Sequence, residues 1–184
     1  MNSVARRSSP GAKRRRRKPR NSVAVRGPGF ERKIRTPRDL AQWLPTLARP
    51  LVFTNGVFDI LHRGHVTYLA RARALGAALV VALNSDASAR ALGKGADRPL
   101  NTLEDRLAVV AALECVDAAT WFDAGTPVDL IEALNPDVLV KGGDWPVERI
   151  VGAQSVLARG GKVLSIPFEH PRSTTALLGR IRAS

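Results

Sequence analysis

Short apolar runs alternate with segments of helical periodicity over most of the chain, beginning near residue 51. Five apolar runs predict β-strands, at residues 51–58, 78–84, 118–122, 138–141 and 162–166. Apolar positions at helical spacing follow them and predict helices, at residues 64–75, 102–114, 127–134, 148–158 and 173–182. Because the strands are apolar throughout instead of alternating with polar residues, the pattern indicates a parallel sheet that helices cover on both faces.

This order of elements predicts an α/β fold, a Rossmann-like doubly wound parallel sheet that forms a single domain. In such folds, ligands bind beyond the carboxyl ends of the strands. Polar residues and glycines gather at four of these predicted ends, at residues 54–59, 84–86, 141–144 and 170–174. The sequence therefore predicts one ligand site that these four segments share.

The net charge of +13 comes from the beginning of the chain. Residues 1–38 hold 14 of the 29 basic residues and one of the 16 acidic residues, so the remainder carries 15 of each and is neutral. Residues 1–29 are rich in Arg, Ser, Pro and Gly, and we expect them to form a disordered basic arm. We expect residues 30–184 to form the folded domain, with its core at residues 51–182.

The cysteine content and the hydropathy narrow the class of protein. A single cysteine, Cys115, excludes an intramolecular disulfide and argues against a zinc site built from thiolates. A reducing compartment such as the cytoplasm is therefore expected. No apolar run approaches the roughly 20 residues that a membrane-spanning helix needs. We therefore expect a globular protein without a membrane span.

The most informative motif is His62-Arg63-Gly64-His65, which lies between the first predicted strand and the following helix. Gly64 lets the backbone approach a ligand closely, and the N-terminus of a helix favours anions. Two imidazoles at this position can donate hydrogen bonds to phosphate oxygens. A pair of metal ligands is the alternative. It is weaker, because the sequence supplies no cluster of carboxylate and thiolate ligands around the histidines, and we predict no metal held by the protein alone.

The segment TNGVFDILHRGH, at residues 54–65, resembles the signature of the cytidylyltransferase-like nucleotidyltransferases, which carry this HxGH motif. Further stretches narrow the likeness to the D-glycero-β-D-manno-heptose 1-phosphate adenylyltransferases of lipopolysaccharide core synthesis. These stretches are NSD at 84–86, RPLN at 98–101, DR at 105–106, VKGGD at 140–144 and STT at 173–175. The resemblance implies the HxGH nucleotidyltransferase type of the fold. Since no sugar-kinase domain precedes it, we expect the stand-alone form of an enzyme that is often fused to a kinase.

The resemblance implies that AMP is transferred from ATP to the heptose 1-phosphate, giving ADP-heptose and pyrophosphate, with Mg²⁺ or another divalent cation. The nucleophile is already a phosphate oxyanion, so positioning and charge neutralisation suffice for catalysis. His62 and His65 are expected to hold the triphosphate and to stabilise the transition state. Lys94, which lies between two glycines, is expected to close over the β- and γ-phosphates.

The other residues expected to bind the nucleotide lie at predicted strand ends, in the helix at 102–114 and at the start of the last helix. They are Thr54, Asn55, Gly56, Val57, Phe58, Asp59, Asn84, Arg106, Lys141, Gly142, Gly143, Asp144, Ser173, Thr174 and Thr175. The two glycines after Lys141 are expected to leave room for the base, and Asp144 to bond a ribose hydroxyl.

The assignments of Asp59 and Arg106 leave alternatives. Asp59 orients its loop, assists Mg²⁺ or caps the following turn. Arg106 is a phosphate ligand, a solvated helix residue or an ion-pair partner. Pro171 and Arg172 depart from the family pattern, which places a glycine shortly before the residue at position 173, and Arg172 is a candidate for an additional phosphate ligand.

Two other functions remain open on the sequence. A cytidylyltransferase for a small phosphoalcohol such as glycerol 3-phosphate would use the same HxGH motif. A nucleic-acid-binding protein would use the cluster KRRRRK at residues 13–18. The neutral charge of residues 39–184 and the lack of aromatic residues within the cluster speak against this function. The resemblance also implies a homodimer or larger homo-oligomer.

Overall fold

A computed structural model describes residues 27–93, 95, 98–170 and 174–182, with the backbone alone at 174–176 and 182. The strands of its sheet are β1 (Leu51–Gly56), β2 (Ala78–Asn84), β3 (Ala118–Phe122), β4 (Val138–Gly142) and β5 (Lys162–Ile166). The helices are α1 (Leu40–Trp43), α2 (Arg63–Arg73), α3 (Asp86–Ala91), α4 (Leu103–Ala111), α5 (Val128–Leu134), α6 (Ala153–Ala158) and α7 (Thr174–Arg182). All neighbouring strands are parallel, so the expected doubly wound α/β fold is confirmed.

The order of the strands places a crevice between β1 and β4. The sheet runs β3-β2-β1-β4-β5, so the chain winds outward from β1 in one direction and then, after β3, continues from β4 in the other. This reversal opens a crevice beyond the carboxyl ends of β1 and β4, where doubly wound folds bind ligands. The register pairs Thr54 with Val140, so Asn55 and Lys141 follow on adjacent strands at this crevice.

The central strand contributes to a core on each side of the sheet. Leu51 and Phe53 pack in the cluster that contains Ile131 of α5, whereas Val52 packs in the cluster that contains Leu69 of α2. All five side chains are fully buried, which explains why apolar residues occupy consecutive positions of β1. Burial of apolar surface, at about 25 cal/mol per Å², is the main favourable contribution to the stability of such a domain.

The helix predicted at residues 148–158 is present only from Ala153, so its predicted start is wrong. Val147–Arg149 form one turn of 3-10 helix, and α6 begins only at Ala153. Gly152 separates the two pieces with φ +83°, in the left-handed region that interrupts a regular helix. A Cβ at Gly152 would lie 2.9 Å from Ile131, so the break lets the backbone pack directly against the core.

The structure also contains two helical segments that the hydrophobic periodicity did not predict. Helix α3 begins directly after β2, and its N-cap Ser85 accepts a hydrogen bond from the backbone N–H of Ser88. The other segment, which we call the N-terminal strap, comprises residues 29–46 and consists of α1 and short 3-10 turns. Both are too short to show a clear helical period.

The N-terminal strap covers the edge of the sheet at β3. Ile34 forms a parallel bridge with Ala119, and the backbone N–H of Arg35 donates to the Ala119 carbonyl at 2.8 Å. Leu40 and Trp43 of α1 are buried in the core. Unpaired backbone groups at a sheet edge invite pairing with other chains, so the strap protects this edge.

The predicted boundary at residue 29 and the predicted disorder of the basic arm stay predictions, because residues 1–26 lie outside the described part of the chain. Within the ranges given above, no helix is both long and apolar enough to cross a membrane.

Replacing Gly76 with alanine is expected to destabilise the domain. A Cβ at Gly76 would lie 2.4 Å from the carbonyl oxygen of Pro50 and 2.7 Å from the side chain of Val52, so the backbone between α2 and β2 must shift. We expect Gly76→Ala to lower the free energy of unfolding by about 1–3 kcal/mol in urea denaturation. Gly179→Ala in α7 is the control, since its Cβ meets no atom within 4 Å and we expect unchanged or slightly higher stability. Equal stability of the two variants would contradict this packing.

Candidate active site

The HxGH motif forms a tight entry into α2. His62 is the N-cap residue of α2 in extended conformation, and its carbonyl accepts the backbone N–H of His65 at 2.9 Å. A Cβ at Gly64 would lie 3.0 Å from the imidazole of His62 and 3.2 Å from the carbonyl oxygen of His170. A larger residue would therefore push the imidazole away. The packing thus requires glycine at position 64, in addition to the expected close approach of a ligand to the backbone.

The two imidazoles of the motif stack on each other. The ring centroids of His62 and His65 are 3.8 Å apart, with an angle of 22° between the planes. Phe58 and Phe168 contact His65 in T-shaped geometry, with centroids 5.4 and 6.0 Å away. The sequence correctly placed both histidines at a helix start, and the structure brings them together into a single pair.

Burial disfavours the charged form of both imidazoles. It lowers the pKa of His62, and it lowers the pKa of His65 to about 4, with a further decrease from the neighbouring His62 and a partial offset from a backbone contact to Ile60. The buried Nδ1 of His62 has no hydrogen-bond partner among the described residues. An unpaired buried nitrogen is unfavourable unless a ligand completes its hydrogen bonding. The pair is therefore suited to receive an anion, because negative charge nearby favours protonation.

Arg106 of α4 ties together the loops around this pair. Its guanidinium is fully buried and donates to the carbonyl of Val57 at 2.7 Å, to the carbonyl of Asn101 at 3.1 Å and to the carboxylate of Asp86 at 2.7 Å. These groups belong to the loop after β1, the loop before α4 and the start of α3. Of the open alternatives, the structure supports the ion-pair partner. A side chain without exposed surface cannot contact a phosphate directly, so its effect on a ligand is exerted through these loops.

Asp59 connects the loop after β1 to the loop before α4. One carboxylate oxygen accepts the backbone N–H groups of Leu100 and Asn101, at 2.9 and 3.0 Å. The other lies 2.6 Å from Nε of Arg98, in an ion pair of which the carboxylate is 1% and the guanidinium 11% exposed. One oxygen thus accepts two hydrogen bonds and the other is held by the ion pair without a hydrogen bond of its own, which supports the loop-orienting role of Asp59 over a role in binding Mg²⁺.

The ends of β1 and β4 meet through Asn55 and Lys141. The ammonium group of Lys141 donates to the side-chain oxygen of Asn55 at 3.3 Å and lies 3.5 Å from its carbonyl oxygen. Thr54, one position earlier, is fully buried, and its hydroxyl hydrogen-bonds to the phenol of Tyr68. Burial raises the pKa of Tyr68 well above its ordinary value. The Thr54 side chain is therefore part of the core, while Lys141 and Asn55 remain partly exposed at the crevice.

The glycine pair at the end of β4 is surrounded by aromatic side chains. A Cβ at Gly142 would lie 2.8 Å from the ring of Phe168 and 3.2 Å from Tyr68, so an aromatic side chain already occupies the space there. Gly143 has φ +106°, which other residues rarely adopt, and turns the chain toward Asp144, which is exposed. The expectation that both glycines leave room for a base stays a prediction, and the structure adds that Gly142 also makes space for the ring of Phe168.

Two further predicted residues are structural in their observed contacts. The side-chain amide of Asn84 is buried and donates to the hydroxyl of Ser88 at 2.9 Å, which fixes the start of α3. A Cβ at Gly56 would lie 3.0 Å from the ring of Phe58, whose φ is +50°. Glycine at position 56 thus makes space for the ring that supports His65.

Several predicted residues lie outside the described part of the chain. Lys94, Arg172 and Ser173 are among them, as is Pro171. Thr174 and Thr175 begin α7, but only their backbone is described. Their roles stay predictions. Among the described residues, no group of three or more histidine, cysteine or acidic side chains is arranged to hold a metal ion.

Sequence reasoning missed Tyr68 and Phe168. Phe168 follows β5 by two residues and reaches across to both His65 and Gly142. No motif contains it, and the only available signal was an aromatic residue just beyond a strand end.

A cavity at the opposite end of the sheet does not belong to this site. It has a volume of about 320 Å³ and is lined by residues that include Arg49, Leu75, Asp137 and Lys162, at the amino ends of the strands. Arg49 and Asp137 form an exposed ion pair in its lining. None of the active-site residues described above lines this cavity.

The comparisons with known proteins agree with the fold and the motif. The chain matches a family model described as Cytidylyltransferase-like over residues 53–176. It is 57% identical over 155 residues to a D-beta-D-heptose 1-phosphate adenylyltransferase of Bordetella bronchiseptica, a match that covers 83% of this chain and 96% of that protein.

Two further relatives extend this picture. The chain is 47% identical over 148 residues to the bifunctional protein HldE of a Marinomonas species, covering 79% of this chain and only 31% of that longer protein. A crystal structure of the lipopolysaccharide core biosynthesis protein from Thermoplasma volcanium superposes with a TM-score of 0.54 at 30% identity, covering 66% of this chain and 98% of that one. The resemblance seen in the motifs is confirmed.

The imidazole of His65 is expected to stay neutral in the protein without nucleotide until the pH approaches about 4. Histidine in the unfolded chain titrates near pH 6.5, so between about pH 6.5 and 4 the unfolded state binds more protons than the folded state. Above about pH 6.5 neither state binds this proton, so the free energy of unfolding is unaffected by His65. As the pH falls from about 6.5 to 4, protonation of the unfolded state lowers the free energy of unfolding. NMR of ring-labelled histidine should show a His65 midpoint near pH 4, and near 6.5 in urea. A midpoint near 6.5 in the folded protein would contradict the buried, stacked geometry.

Proposed function

Because the chain belongs to the cytidylyltransferase-like family, we propose that it transfers AMP from ATP to D-glycero-β-D-manno-heptose 1-phosphate. The products are ADP-heptose and pyrophosphate, and the reaction serves synthesis of the lipopolysaccharide inner core. The observation that carries the proposal is 57% identity to a heptose 1-phosphate adenylyltransferase of which this chain covers 96%. The stacked histidine pair at the crevice supplies the chemistry that this reaction requires.

The reaction is a direct displacement at the α-phosphorus of ATP. An oxygen of the sugar 1-phosphate forms the new P–O bond, the bond to the bridging oxygen of the β-phosphate breaks, and pyrophosphate leaves with that electron pair. The nucleophile is already anionic, so the protein does not need a general base. What the protein must supply is alignment and compensation of negative charge.

His62 and His65 are the groups that compensate this charge. Their imidazoles are stacked within 3.8 Å at the N-terminus of α2, where the helix dipole also favours an anion. Burial lowers the pKa of both imidazoles, and the negative charge of an arriving triphosphate acts in the opposite direction and favours their protonation. An imidazolium formed in this way is a stronger hydrogen-bond donor to phosphate than a neutral ring.

The loop between β1 and α2 aligns the histidines with the nucleotide. It is held by Arg106 at Val57 and by the Asp59–Arg98 ion pair. Lys141 and Asn55 face the same crevice from the adjacent strand ends. We propose that they contact the nucleotide, whereas Thr54, Asn84 and Arg106 support the site from the interior.

Lys94 and the segment at residues 173–175 complete the proposed phosphate site. Lys94 is flanked by glycines in the sequence, and a lysine there supplies a point charge to the β- and γ-phosphates. The start of α7 at Thr174 provides backbone N–H groups of the kind that bind phosphate.

Mg²⁺ is proposed to accompany ATP. The carboxylate oxygens of Asp59 are occupied by its loop contacts, and Asp144 keeps its proposed role at a ribose hydroxyl, so we expect the substrate phosphates and water to supply most ligands of the ion. Mg²⁺ commonly binds through substrate phosphates, waters and one or two carboxylates, which fits this limited set of ligands. When bound, the ion neutralises charge on the departing pyrophosphate.

The remaining proposals concern the setting of the enzyme. ATP and sugar phosphates are metabolites of the cytoplasm, and we propose that the protein acts there. A homodimer or larger homo-oligomer is proposed from the family resemblance alone.

Pyrophosphate release measures the proposed activity directly. Purified chain should release pyrophosphate with ATP and the heptose 1-phosphate, and much more slowly when CTP or glycerol 3-phosphate replaces the corresponding substrate. His65→Ala should lower kcat by about 10²–10³, the size expected for loss of one group that stabilises transition-state charge.

The control for this variant is Val66→Ala, on the exposed side of α2, which should keep normal kcat. Turnover with CTP and glycerol 3-phosphate, but not with ATP and the heptose, would overturn the proposed substrates. Normal kcat in a folded His65→Ala protein would overturn the role of the histidine pair.

A further inference from the structure

The cavity at the amino ends of the strands plays no part in the proposed reaction. Its volume of about 320 Å³ lies in the range of pockets that hold small molecules. Arg49 and Asp137 reach it from the loops before β1 and β4, whereas Arg159 ends α6 and Lys162 begins β5. Segments that are distant in the sequence thus form one concave surface, on the opposite side of the sheet from the histidines.

The only acidic group among the described residues of this cavity is paired within the protein. One carboxylate oxygen of Asp137, Oδ2, accepts the backbone N–H of Leu51 and lies 2.9 Å from the guanidinium of Arg49. The same guanidinium donates to the carbonyls of Asn135 and Leu134, at 3.0 and 3.3 Å. Arg49 is therefore fixed as part of the wall, and Oδ1 of Asp137 is left to accept a hydrogen bond from a ligand.

The other side of the cavity keeps positive charge that no acidic group compensates. Neither Arg159 nor Lys162 forms an ion pair with a carboxylate of the residues that the structure describes. One guanidinium nitrogen of Arg159 donates to the hydroxyl of Ser155, which orients the group and leaves its other N–H groups for a ligand. Three cations and one carboxylate of the described residues line the cavity, a net charge of +2 that favours an anion.

The turn that carries these two cations is held by its backbone. The N–H of Lys162 donates to the carbonyl of Asp137 at 2.9 Å, and the N–H of Gly161 donates back to α6 at 3.0 Å. Gly160 has φ +78°, and a Cβ at this position would meet no atom within 4 Å, so the turn leaves open space. Because these backbone donors are already used, side chains must recognise the ligand.

We propose that this cavity is a second ligand site, which binds a small phosphorylated polyol such as a sugar phosphate. Arg159 and Lys162 bind the phosphate, because guanidinium and ammonium groups donate charge-assisted hydrogen bonds to its oxygens. A hydroxyl of the ligand donates to Oδ1 of Asp137, on the acidic side of the cavity. Leu75, which is 38% exposed in the lining, contacts the carbon skeleton. This inference goes beyond the proposed function and does not rest on it.

Amide NMR of the full chain tests this site while reporting separately on the active site. Glucose 6-phosphate carries both an anion and hydroxyls, whereas inorganic phosphate and glucose each carry one of the two. We expect glucose 6-phosphate to shift the amides of residues 159–162 and to bind there about tenfold more tightly than either fragment. The local shifts matter because the basic residues 1–38 also attract anions.

Two single variants and one matched control locate the binding charge. We expect Arg159→Ala and Lys162→Ala each to weaken glucose 6-phosphate about fivefold at this site, through loss of a charge-assisted hydrogen bond. Arg149→Ala is the control, because Arg149 is an exposed arginine on the 3-10 turn before α6 and does not line the cavity. It should change the affinity less than twofold, and all three variants should keep the amide spectrum of the folded domain.

Each outcome decides for or against the second site. Shifts at residues 159–162 that weaken in both cavity variants, but not in Arg149→Ala, support it. Shifts confined to residues 62–65, or no shifts at all, would overturn it. Equal weakening in all three variants would also overturn it, since the attraction would then be general and not local. Equal affinities for glucose 6-phosphate and inorganic phosphate would overturn the polyol as the ligand class.

Discussion

The buried guanidinium of Arg106 is the constraint on which the site depends. A charged group without exposed surface is expensive to bury unless hydrogen bonds and a counter-charge compensate it. Arg106 finds both, in the carbonyls of Val57 and Asn101 and in the carboxylate of Asp86. Because these partners come from three different segments, one side chain fixes the loops beyond β1 and β2 relative to α4. The loop that leads to the histidines is thereby held at the correct end of the sheet.

Aromatic rings that pack against glycines surround the histidine pair. Phe58 packs over Gly56 and supports His65, and Phe168 packs over Gly142 and contacts the same histidine. The glycines thus permit close packing of rings on the backbone, and the rings in turn bury the histidine pair. This burial lowers the pKa of both imidazoles, whereas a bound anion would favour their protonation. The packing of these rings therefore sets both the position and the pKa of His62 and His65.

The sequence predicted the sheet and the histidine pair because their signals are local. Apolar strands and a glycine between two histidines can be recognised without knowing what packs on them. The break before α6 was missed because the positive φ of Gly152 depends on its contact with Ile131, which is distant in the sequence. The burial of Arg106 was left open for the same reason, since its three partners lie 5, 20 and 49 residues away. Phe168 belongs to no motif, and only the fold brings it to the site.

The most direct measurement of this dependence is kcat/KM for AMP transfer in Arg106→Lys, at a temperature where the protein is folded. Lysine keeps the charge, but a single ammonium group cannot reach three acceptors in the geometry of a guanidinium. Gly76→Ala serves as a control that is destabilised far from the crevice. We predict that kcat/KM falls at least about tenfold in Arg106→Lys and stays near normal in Gly76→Ala. Full kcat/KM in folded Arg106→Lys would contradict the claim that this buried guanidinium positions the active site.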